Sequence, residues 1–129
     1  MTLRNPNAQL VDFTALNGVI ESNPKFAPSD IDMIYERNGF YLVAEWKKPD
    51  EALVKNSGQD FLLQTLAKNE RFTVLIIVGY SQGRDMVIQK IDRITRAGLV
   101  QNLHATGDGV PRLREIIQKW YKAVDDVQK

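Results

Sequence analysis

The sequence predicts an α/β domain, a small mixed β-sheet flanked by helices. Three observations carry that expectation. Residues 28–48, PSDIDMIYERNGFYLVAEWKK, hold two runs rich in Ile, Tyr, Phe, Leu and Val on either side of Asn38-Gly39. That dipeptide favours a two-residue type I′ turn, because both positions tolerate positive φ. Residues 72–80, FTVLIIVGY, are almost wholly apolar, as in a strand covered on both faces. Residues 58–69 and 111–127 repeat apolar side chains at helical spacing.

Each element has its own signals. Asn5-Pro6 supplies an N-cap and a first helical residue. Phe13, Leu16 and Ile20 then recur at helical spacing, with Leu10 and Val19 beside them, so a helix is expected over residues 6–21. Gly18 weakens it by roughly 1 kcal/mol against Ala. Asn23-Pro24 and Ala27-Pro28 break the chain before the hairpin. A turn at Asn38-Gly39 pairs Arg37 with Phe40, Tyr35 with Leu42 and Met33 with Ala44. Continued outward, it sets Asp32 against Glu45 and Asp30 against Lys47. Pro49 ends the second strand, since it has no N–H for the ladder. Ser57 and Asp60 form an approximate capping box for a helix over 58–69, with Phe61, Leu62, Leu63 and Leu66 inward. The second hairpin strand, this helix and residues 72–80 then make a βαβ crossover, expected to be right-handed.

Beyond it the signals thin. Met86-Val87-Ile88 suits an added edge strand within residues 85–95, although Val87, Ile91 and Ile94 also fit a helix; the strand is the expectation. Residues 97–109 read as loop, ending in Gly107-Asp108-Gly109. Pro111 opens a last helix to about residue 127. Its apolar stripe is Leu113, Ile116, Ile117, Trp120 and Val124, with Arg112, Arg114, Lys119 and Lys122 elsewhere around it.

Composition sets the bounds. A chain of 129 residues suits one domain spanning 1–129. With 43% hydrophobic and 26% charged residues, a packed core is expected rather than disorder. There is no cysteine, so disulfides and thiolate metal sites are excluded, which suits a reducing compartment. No apolar run reaches the length of a membrane span, and no basic-then-apolar leader opens the chain. The expectation is a cytoplasmic protein with no membrane partner. Net charge is +1, but it is uneven. Residues 1–64 carry six basic and nine acidic side chains, and residues 65–129 eleven and seven. That asymmetry suits DNA, and equally a protein with no nucleic-acid partner.

The hairpin register carries the chemistry. Alternation puts Ile31, Met33, Tyr35, Phe40, Leu42, Ala44 and Trp46 on one face and Asp30, Asp32, Glu45 and Lys47 on the other. Like charges directly opposed on paired strands repel. A divalent cation between Asp32 and Glu45 would relieve that, since Mg²⁺ is held by one or two carboxylates and keeps several waters. Lys47, two residues from Glu45, points to the same side. An ammonium there can orient a water and offset charge on a phosphate. The same charges also suit a solvated strand rim, and alternation alone leaves both readings open.

Ser29-Asp30-Ile31-Asp32 followed by Glu45-Trp46-Lys47 resembles the PD-(D/E)xK nuclease superfamily, which has the restriction-endonuclease-like fold with an αβββαβ core. The resemblance implies a metal-dependent nuclease that hydrolyses phosphodiester bonds in DNA with Mg²⁺ or Mn²⁺. In it Asp32 looks like the first metal-binding acid, with Asp30 as the alternative because it follows Ser29. Glu45 looks like the second ligand and Lys47 like the lysine that positions the attacking water. Several branches carry a Gln on the helix after Glu-x-Lys, and Gln59 looks like that residue. Duplex, single-stranded and branched DNA all stay open as substrate, and small members imply a homodimer. One strand of that core is not evident in the sequence; either residues 25–31 supply it or the sheet is shorter. The alternative is an inactive nucleic-acid-binding or accessory module on the same fold.

A competing motif is Gly79-Tyr80-Ser81-Gln82-Gly83, which fits the G-x-S-x-G nucleophile elbow of α/β-hydrolases. Its triad would need His104, the one histidine, with Asp85 or Asp92. A glycine-flanked serine in a turn is the simpler reading.

Overall fold

In a computed structural model of the chain, residues 13–28, 31–50 and 58–127 are described. The chain groups into two compact units, residues 1–30 and 31–129. In the first, the described stretch makes a 3₁₀ turn at Thr14–Leu16 and further turns, with every residue exposed. The helix expected over 6–21 is therefore not continued through residues 13–21; residues 6–12 lie outside the described set. Residues 25–28 form no strand.

The second unit is the α/β domain. Its strands are β1 (Met33–Arg37), β2 (Phe40–Lys47), β3 (Phe72–Gln82), β4 (Asp85–Ile94) and β5 (Val100–His104), with helices α1 (Gly58–Lys68) and α2 (Val110–Asp125). One five-stranded mixed sheet runs in the order β1-β2-β3-β4-β5. Only β2 and β3 pair in parallel, bridged by α1; the other neighbours are antiparallel. The expected mixed sheet flanked by helices is thus present. Its described elements run ββαβββα, so the strands beyond the hairpin and crossover follow β3 rather than precede β1.

The two helices take opposite faces. Leu42, Ala44, Leu75, Ile77, Ile88 and Ile91 pack under α2 with Leu113, Ile116 and Trp120. Val74, Ile76 and Ile94 pack under α1 with Leu63 and Ala67. Because β2 and β3 sit inside the sheet and are covered on both sides, they read as nearly continuous apolar runs. β5 was expected to be loop. Its burial is slight and its sequence, VQNLH, shows no apolar alternation, so its strand character comes from pairing with β4. Among the described residues, no helix is long and apolar enough to cross a membrane.

The β1–β2 turn does more than reverse the chain. Asn38 and Gly39 have φ of 54° and 79°, both positive as a type I′ turn requires. The register is the one this turn dictates, from Arg37↔Phe40 to Met33↔Ala44. The Asn38 Nδ2 donates to the carbonyls of Val124 at 3.0 Å and Asp125 at 3.3 Å. Both carbonyls belong to the last turn of α2, where the helix ladder runs out of donors; that of Val124 also accepts from the Val127 amide at 3.3 Å. An acid at a helix C-terminus is disfavoured by the helix dipole. Arg37 answers that at Asp125, donating from Nε at 2.9 Å and Nη2 at 2.6 Å. This hydrogen bond is the main cause of an Arg37 pKa raised above its ordinary value.

Two substitutions separate the parts played by Asn38. Asn38→Gly keeps the positive φ and loses the cap, and is expected to cost about 1 kcal/mol. Asn38→Ala also meets left-handed backbone strain, costing about 1–2 kcal/mol more. Urea unfolding measures both; equal stability of Asn38→Gly and wild type would remove the cap from the account.

Candidate functional site

Directly paired residues on adjacent strands share a face of the sheet, so the registers lay out the surface under α1 row by row. One row is Glu45–Ile76–Asp92–Asn102, across β2, β3, β4 and β5. The next row, toward the C-terminal ends of β2 and β3, is Lys47–Val78–Lys90. An apolar centre strand is therefore flanked on each side by one acid and one lysine. The face also holds Val74 and Ile94 under Leu63 and Ala67 of α1. The polar side chains begin on either side of Ile76, which still belongs to that apolar packing.

Glu45 and Lys47 lie together as expected. Glu45 is only 7% exposed, and Lys47 Nζ stands 3.9 Å from its Oε1, with the lysine side chain 13% exposed. Burying a carboxylate away from water is costly unless it is paired. A nearby ammonium offsets part of that cost at the position where it could also meet a phosphate.

Asp32 differs from the expected arrangement in its partner. It lies one residue before β1, outside the ladder. The hydrogen-bonded pairs of this hairpin alternate outward from Arg37↔Phe40, so the amide of Trp46 would be the next ladder donor. That amide donates instead to Asp32 Oδ2, at 2.8 Å. The carboxylate thus ends the hairpin by standing in for a backbone carbonyl, and it is held at the Trp46 amide rather than left facing Glu45 alone. Asp30 lies outside the described residues. Gln59 has its backbone in the first turn of α1; its side chain is outside the described set.

Two further buried acids lie outside the expected site. Asp60, read from the sequence only as half of a capping box, is 5% exposed in the first turn of α1 and accepts from Gln64 Nε2 at 3.0 Å. Asp92, considered only for an esterase triad, is 6% exposed. It binds Lys90 Nζ at 3.1 Å through Oδ2 and accepts from Asn102 Nδ2 at 2.9 Å through Oδ1. The i, i+4 spacing of Asp60 and Gln64 was a usable signal. The Lys90–Asp92 spacing was another, once residues 85–95 are taken as a strand.

The donor set fits a hard cation in kind. Asp32 and Glu45 offer carboxylate oxygens, the ligands that Mg²⁺ and Mn²⁺ take, and one or two suffice when waters complete the shell. Asp32 Oδ1 makes no hydrogen bond among the described residues, whereas Oδ2 is taken by Trp46. Among the described residues, no three carboxylate, imidazole or thiol side chains gather into a metal-binding cluster.

The serine motif does not form a hydrolase site. Ser81 lies near the end of β3, which turns at Gly83-Arg84 straight into β4. A nucleophile elbow needs a strand-to-helix turn. Ser81 pairs with Met86, while His104 pairs with Ile91 at the far part of β4. The His104 Nε2 is instead 3.1 Å from the Gly107 carbonyl.

Comparison of the chain with models of known families, with curated proteins and with solved structures finds no match.

The Asp32 anchor makes a stability prediction. Asp32→Asn keeps an oxygen acceptor for the Trp46 amide and should unfold close to wild type. Asp32→Ala leaves that amide without its acceptor and should cost about 1–2 kcal/mol. Urea unfolding with hydrogen exchange at the Trp46 amide reads both, and slow exchange persisting in Asp32→Ala would contradict the assignment.

Proposed function

We propose that this protein is a metal-dependent nuclease acting on phosphodiester bonds in DNA. The observation that carries the reading is the buried Glu45 with Lys47 one pleat away on the face under α1, beside a hairpin arm that ends in Asp32. Their order along the chain, acid, hairpin, Glu-x-Lys, helix, buried strand, agrees with the superfamily resemblance. Asp32 and Glu45 would hold Mg²⁺ or Mn²⁺ through their carboxylate oxygens. Such an ion supplies a water of lowered pKa and offsets charge building on the phosphate. Lys47 contributes an ammonium that donates to the attacking water and to a phosphate oxygen, fixing the line of attack. The resemblance implies a Gln on this helix close to the metal site, and Gln59, whose backbone lies in the first turn of α1, is assigned that part. The cytoplasm, suited by the lack of cysteine, and a homodimer belong to the same proposal.

One observation favours a second reading. Asp32 already spends one carboxylate oxygen on the Trp46 amide. That is a structural use, and it suits a module that binds nucleic acid without cutting it. In that case Asp32→Asn leaves DNA binding intact and no turnover appears with any metal.

Incubation of plasmid, single-stranded and branched DNA with Mn²⁺ decides between them. The nuclease reading expects cleavage by wild type and a loss of about 10²–10³-fold in rate for Lys47→Met, the scale for removing one positioned donor. Glu45→Gln should abolish both cleavage and Mn²⁺ binding in calorimetry. Equal cleavage by wild type and Lys47→Met would reject the role given to that lysine.

A further inference from the structure

Strand β4 carries a bulge that matters to the site. Val78 pairs with Lys90 and Gly79 with Ile88, so Gln89 has no partner on β3. The effect on side-chain direction is decisive. Ile88 and Ile91 are three residues apart, yet both pack into the cluster under α2. In an unbulged strand, alternation would send residue 90 to the same face as Ile88. The extra residue resets the phase, and Lys90 joins Asp92 on the opposite face, under α1. Their 3.1 Å ion pair places them on one side. The bulge is accommodated from the other strand too. A Cβ on Gly79 would lie 2.1 Å from the Val87 carbonyl and 2.9 Å from the Trp46 ring, so only glycine permits the close approach.

The result is a second lysine that mirrors the first across β3. Lys47 and Lys90 both pair with Val78, two strand spacings apart, or about 9–10 Å between backbones. Each has an acid one pleat behind it, Glu45 and Asp92. The Asp92 carboxylate is buried, and Asn102 fixes its free oxygen. Lys90 itself is about half exposed, at 51%. A buried, hydrogen-bonded acid that holds an accessible ammonium is a means of aiming a cation. Bulges commonly re-aim side chains in this way beside active sites.

We propose that Lys90 is a second phosphate-binding group of this site. It grips a backbone phosphate of the DNA strand next to the phosphate that faces Lys47, and Asp92 is its positioning residue. The choice of DNA as ligand rests on the function proposed above; the role of Lys90 does not require cleavage.

Fluorescence anisotropy of a fluorescein-labelled oligonucleotide, single-stranded and duplex, tests this in EDTA across a salt series. Lys90→Met should weaken binding about tenfold at low salt and reduce the slope of log K against log salt by about one. Lys90→Arg should keep the wild-type slope. Lys122→Met removes one exposed charge from α2 and should leave the slope unchanged. Asp92→Asn should give an intermediate loss that Lys90→Met does not deepen by the full amount. Should Lys90→Met disturb folding, Lys90→Gln repeats the measurement. Equal slopes for Lys90→Met and Lys122→Met, or no DNA binding by wild type, would overturn the proposal. A Lys90-dependent slope without cleavage in Mn²⁺ would support it and reject the nuclease reading. Cleavage with no Lys90 effect on binding would do the reverse.

Discussion

The two-residue reversal at Asn38-Gly39 is the constraint from which the rest of the α/β unit follows. It fixes which residue of β1 meets which residue of β2, and a slip of one would exchange the two faces of the hairpin. β2 then passes that phase to β3 through seven parallel pairs. The turn also reaches across to α2, where the Asn38 amide and the Arg37 guanidinium finish the helix end. Turn, sheet register and helix docking are therefore coupled through a few side chains rather than established separately.

Under α1, apolar packing gives way to charge within one row of the sheet. Val43, Val74 and Ile94 form an apolar row, and the next holds Glu45, Ile76 and Asp92. Two carboxylates buried so near a core lower stability unless cations and hydrogen-bond donors answer them. Here they are answered by Lys47, Lys90 and Asn102. An arrangement with hydrophobic residues in those positions would be at least as stable. Charge maintained at such expense is a reason to look for chemistry at this place, and it is why the candidate site is assigned to this face and not to the exposed strand ends.

The same face shows how far local rules reach. The pairing of acids expected from the hairpin depended on the ladder continuing one step past Met33. The ladder stops there because the Asp32 carboxylate captures the Trp46 amide. Alternation paired Asp32 with Glu45, one step beyond where the ladder ends, because it could not anticipate a side chain taking the place of a main-chain carbonyl. On β4 the difficulty is of another kind. Alternation read from Ile88 alone puts Lys90 on the wrong face, and nothing in residues 85–95 marks Gln89 as the extra residue. The mark lies on the neighbouring strand, in Gly79 and the Trp46 ring that crowds it.

What the amino-acid sequence settled by itself is local. Asn-Gly chemistry gave the hairpin and its register, an unbroken apolar run gave the buried strand β3, and the 3.6-residue stripe of Leu113, Ile116, Ile117, Trp120 and Val124 gave α2. In each case the signal and the structure it specifies lie within the same few residues. The tertiary structure decided the rest. It made a strand of Val100–His104 by pairing it with β4, and it buried Asp60 and Asp92. It turned Lys90 to the face of Lys47 and drew Asp32 to a backbone amide. Each of these depends on a partner distant in the chain, and neither periodicity nor turn preference carries information about a partner that only folding brings within hydrogen-bonding reach.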